Sequence, residues 1–86
     1  MAQPMRRPPP ALERLANEAE DLRERLHRIA IALSITEDMM AEAFERSASA
    51  GSVEAPDYRQ RALLARTTAD ICRTCAQRLD ELHYHH

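Results

Sequence analysis

Eighty-six residues with one glycine and three aromatic side chains allow one small helical domain and leave little for a ring-lined ligand pocket. The net charge of −2 argues against a general affinity for nucleic acid or other polyanions, and a single glycine cannot furnish a glycine-rich phosphate loop. The longest uncharged run, Ile29–Thr36, is far too short to span a bilayer.

Met1–Pro10 carries four prolines and two arginines, a composition that favours an extended, polyproline-like path. This segment is expected to be a disordered or surface-draped tail. It has no apolar run of the secretory type, and two cysteines three apart do not make a disulfide framework. A soluble protein of a reducing cytoplasm is therefore expected, with no membrane association.

From residue 11 the pattern becomes helical. Leu12, Ala19, Leu26, Leu33, Met40 and Ser47 form one row at seven-residue spacing. Leu15, Leu22, Ile29, Thr36, Ala43 and Ala50 form a second, offset by three. Apolar residues alternating at gaps of three and four mark a helix that packs lengthwise on other helices. The spacing predicts a helix over 11–50. Pro10 suits its first turn, Glu13 sits at the positive end of its dipole, and Glu24 with Arg28 and Asp21 with Arg25 stand in the favourable i, i+4 order. Thr36 interrupts the apolar row, and Ile35-Thr36-Glu37-Asp38 reads as a helix start, so a three-helix fold broken near Thr36 is the alternative. Met39, Met40 and Phe44 follow as a soft apolar cluster.

Gly51 is the natural C-terminal cap, since it takes positive φ without strain. A loop over 51–56 leads to a second helix over 57–84, for which Asp57-Tyr58-Arg59-Gln60 reads as a capping box. Its apolar face is Leu64, Thr68, Ile71, Cys72, Cys75, Leu79 and Leu82, again at three-four spacing. Ala62, Ala65, Ala69 and Ala76 flank that face and would let another helix approach closely. Helices of about 58 and 42 Å joined by a short loop must lie antiparallel, with Leu12 and Leu15 overhanging. A two-helix hairpin buries too little alone. The expected fold is thus all-α, a long antiparallel helical hairpin that dimerises into a four-helix bundle.

Three functional readings follow. The first is a non-enzymatic protein-interaction module, homodimeric and bound to a protein partner, such as an adaptor, small regulator or accessory subunit. Its candidate contact residues are Met39, Met40, Phe44 and the stripe of Arg59, Arg66 and Arg73 at seven-residue spacing. No catalytic residues and no cofactor are expected, because no carboxylate pair, nucleophile–base set or phosphate loop is readable. The second reading is a metal- or redox-responsive regulator using Cys72 and Cys75. Zinc needs about four converging ligands, and His83, His85 and His86 lie too far along the helix to complete the set. A mid-helix pair also lacks the helix-start dipole that activates redox thiols. His27 is expected to be a surface or boundary histidine, with a meeting with His83 across the hairpin as the alternative. The third reading is a nucleic-acid-binding dimer that tracks phosphates along the arginine stripe. Asp70, Asp80, Glu81 and an acidic first helix weigh against it, as does the scarcity of stacking rings.

Overall fold

The computed structural model describes residues 9–84. It is an antiparallel hairpin of two long helices, α1 (Pro10–Ser49) and α2 (Ala55–Tyr84). Pro9 holds the extended N-cap conformation at φ −54° and ψ 146°, and its carbonyl accepts the backbone N–H of Leu12 and Glu13. Pro10 stands at the helix's first position, where a missing N–H costs nothing. The expectation of a disordered tail over 1–10 lies almost entirely outside the described residues.

Helix α1 runs without a break through Thr36, so the three-helix alternative is not what the chain adopts. The Thr36 hydroxyl donates to the carbonyl of Ala32 at 3.0 Å. That bond satisfies the side chain inside the helix, where an N-cap would have used it to stop one. At the far end Gly51 adopts φ 74°, and its N–H donates to the Ala48 carbonyl. The reversal is completed when Ala55 donates to the Ser52 carbonyl. Helix α2 therefore begins two residues before the expected start and takes Pro56 into its first turn. The capping box at Asp57–Gln60 does not form. Asp57 pairs instead with Arg61 one turn on, at 3.0 Å, and the Tyr58 hydroxyl bonds to Glu54 at 3.1 Å.

The two helices close on their smallest side chains. Ala30, Ser34, Ala41 and Ala48 are the buried residues of α1. Opposite them Ala55, Ala62, Ala65, Ala69 and Ala76 are buried in α2. Four of these recur at seven-residue intervals through α2, and Ser34, Ala41 and Ala48 do the same in α1. Methyl-sized side chains let the two backbones approach at the short end of the usual interaxial range. The Ser34 hydroxyl, buried in this seam, donates to the Ile31 carbonyl at 2.7 Å and so needs no partner across it. The register is marked at both ends. Near the turn Phe44 stacks on Tyr58 with ring centroids 6.3 Å apart. At the open end the Arg23 guanidinium donates to the Leu79 carbonyl at 3.2 Å. Helix α1 is ten residues longer than α2, so about 15 Å of its N-terminal end extends past its partner.

Candidate interaction face

The seam lies one residue along from the apolar rows that the sequence displays. One residue is about 100° around a helix, so the row from Leu12 to Met40 points beside α2 and not at it. Leu12, Leu15, Leu22, Leu26, Ile29, Leu33 and Met40 are all between 43% and 59% exposed. The matching side chains of α2, Leu64, Ile71 and Leu82, are 56–61% exposed. These residues share one edge of the hairpin. There Leu26, Ile29 and Leu33 from α1 and Cys72, Cys75 and Leu79 from α2 wall a shallow groove of about 460 Å³, with Arg78 the charged residue in its lining. Folding as a hairpin thus buries alanine and leaves leucine and isoleucine outside.

The opposite edge is polar. The Asp38 carboxylate accepts from Arg73 at 2.7 Å and from Arg66 at 3.0 Å. Arg66 also reaches Glu45 at 3.2 Å, and Arg73 also binds Asp70 on its own helix. The Arg73 guanidinium, seconded by Arg66, holds the Asp38 carboxyl below its ordinary range, while Arg66 is held more firmly protonated by Glu45 and then Asp38, and Arg73 by Asp70 and then Asp38. Two members of the arginine stripe therefore spend their charge on α1. Arg59 has no ion-pair partner among the described residues. The two edges differ in kind: one is a chain of ion pairs closing the hairpin, the other an apolar surface about half exposed to solvent.

The methionine cluster is divided by the helix. Phe44 is half-buried against Tyr58, Met40 belongs to the exposed apolar row, and Met39 points outward at 64% exposure, about 100° from Met40. Cys72 is half-buried in the groove and Cys75 exposed at its surface; both are free thiols. Among the described residues no group of three or more His, Cys, Asp or Glu side chains converges as a metal site. His27 sits half-buried in the seam rows, but the His83 side chain and residues 85–86 lie outside the described set, as does the suggested meeting of His27 with His83. Neither helix is long and apolar enough to cross a membrane. Sequence reading missed Asp38 and Glu45 as partners of the arginines. The signal was present in their spacing of seven, which equals that of Arg66 and Arg73.

Comparison with protein-family models, with curated proteins and with solved structures finds no match.

Proposed function

We propose that this chain is a non-enzymatic helical protein-interaction module of the cytoplasm whose working surface is the apolar edge of the hairpin. The observation supporting this reading is the inversion of burial: alanines fill the intramolecular seam while eight to ten large aliphatic side chains stand about half exposed in a continuous stripe. A contiguous apolar stripe of this extent marks a surface made for another macromolecule. The contact residues in this reading are Leu26, Ile29, Leu33, Met40, Ile71 and Leu82. Phe44, Arg66 and Arg73 serve the hairpin itself, and Met39 and Arg59 lie apart from the stripe.

The test compares a tagged wild-type chain with a Leu26→Glu, Leu33→Glu double variant in extracts of its own cells. Both substitutions leave the alanine seam untouched, so the helical circular dichroism of the variant should match wild type. The wild-type chain is expected to retain protein, either untagged copies of itself or another helical chain, and the variant to lose at least 90% of it (roughly a tenfold effect, about 1.4 kcal/mol). A wild type that retains nothing, or a variant that retains as much, overturns the reading.

A further inference from the structure

We propose that the occupant of the apolar edge is a second copy of this chain, related by a two-fold axis that runs parallel to the helices, so that α1 of each copy lies over α2 of the other. This rests on the reading of the edge as an interaction surface and specifies what sits there.

The argument begins with height along the hairpin. Phe44 opposite Tyr58, and Arg23 opposite Leu79, set how the two helices pass one another. Phe44 and Tyr58 meet ring to ring, so the lean of each side chain toward its own N-terminus is already contained in this register. Leu22 then stands within two residues of rise, about 3 Å, of Leu82, Leu33 of Ile71 and Met40 of Leu64. The polar interruption follows the same rule, with Thr36 near the height of Thr68. Both threonine hydroxyls are already satisfied within their helices, bonded to the carbonyls of Ala32 and Leu64 at 3.0 Å, and so present methyl-bearing surface with no unmet donor.

A two-fold axis parallel to the helices preserves height. It lays Leu22 near Leu82, Leu33 near Ile71 and Thr36 near Thr68 of the other copy's α2, with Leu26 and Ile29 over the Cys75–Arg78 stretch. A perpendicular two-fold would instead lay α1 on α1 and discard the match in height between the two exposed rows. Arg78 lies within the groove lining, where its aliphatic stem covers apolar surface while the guanidinium extends outward. The two α1 extensions fall at the same end, where each copy's Leu12 and Leu15 meet those of the other.

Area is sufficient. Eight half-exposed aliphatic side chains present roughly 100 Å² each, on the order of 800 Å² per copy, which is one partner's share of a standard specific interface.

The experiment uses purified full-length protein alone. Native mass spectrometry of the wild type is expected to give twice the 9.8 kDa chain mass. Orientation is then read from spin labels at Ser52→Cys, in a chain also carrying Cys72→Ala and Cys75→Ala and confirmed dimeric by mass. Parallel copies place both turns at one end, with labels within about 30 Å. Copies related by the perpendicular axis place the turns roughly 60 Å apart. Leu33→Glu with Ile71→Glu should raise the dimer dissociation constant at least about 100-fold while leaving helicity unchanged, because it buries four charges per dimer. A wild-type monomer overturns the proposal. If such a monomer still retains another protein from extract, the interaction reading stands and only the identity of the occupant falls. A dimer with distant labels, or one that survives the double substitution, also overturns it.

Discussion

At Gly51 a single residue decides where the chain can reverse. Its φ of 74° lies in the left-handed region, and a side chain added there would meet no atom within 4 Å. The whole penalty of Gly51→Ala is thus backbone strain, expected at about 1 kcal/mol in urea unfolding, with a smaller loss for Gly51→Asn. Asp38 governs a second residue-scale effect. Hydrogen bonds from Arg73 and then Arg66 favour its charged form in the fold, so its folded pKa lies below the unfolded value near 3.8. A carboxyl shifted in this sense stabilises the fold above the unfolded pKa and loses that contribution as pH falls through the folded one. Thermal unfolding followed from pH 7 to pH 2 should accordingly show Asp38→Asn melting below wild type at neutral pH, with the two curves converging at the acid end. A difference that persists unchanged at pH 2 would mean that Asp38 acts through packing and not charge.

Among the elements, the seam between α1 and α2 sets how strictly size is policed. Ala41 and Ala69 have no exposed surface at all. Ala41→Leu inserts a branched four-carbon side chain where one methyl fits, and should destabilise the hairpin by about 1–3 kcal/mol, read as a lowered urea midpoint. Leu33→Ala, on the open edge, should leave the midpoint of a dilute, dissociated sample almost unmoved. This contrast also explains what could be read from sequence. Helix content, the turn at Gly51 and the antiparallel hairpin were legible because capping chemistry and seven-residue spacing are local. The seam was legible only in part. The alanines of α2 announced close approach, but the leucine rows of α1 dominate any hydrophobic pattern and mark the open edge, one residue away from the true line of contact. Thr36 misled for a related reason. A threonine in a first-turn setting is a good cap, but its hydroxyl can equally bond back to the carbonyl four residues earlier. Which of the two prevails depends on the unbroken alanine track on the neighbouring helix face, and that is a tertiary fact.

For the whole molecule, the decisive property is that its two edges differ in chemistry. Ion pairs and methyl groups close the hairpin, while the aliphatic rows stand half exposed along the other edge. A sequence that states both patterns in the same forty residues of α1 cannot say by periodicity alone which is inside. The one short connection between the helices, residues 50–54, carries a kinetic consequence as well. Pairing across the seam involves near neighbours in sequence at the turn, such as Phe44 with Tyr58, and very distant ones at the open end, where Arg23 meets Leu79. Closing short loops first costs the least entropy, so the hairpin should zip from the turn outward and unzip from the open end inward. Amide hydrogen exchange on the dissociated chain should record this as a gradient, slowest around Ala41 and Ala62 and fastest beyond Arg23 and Leu79. The α1 extension that passes α2 would exchange first of all in that state. It should become protected only in the assembled protein, which makes those amides a built-in reporter of whether the surface is occupied.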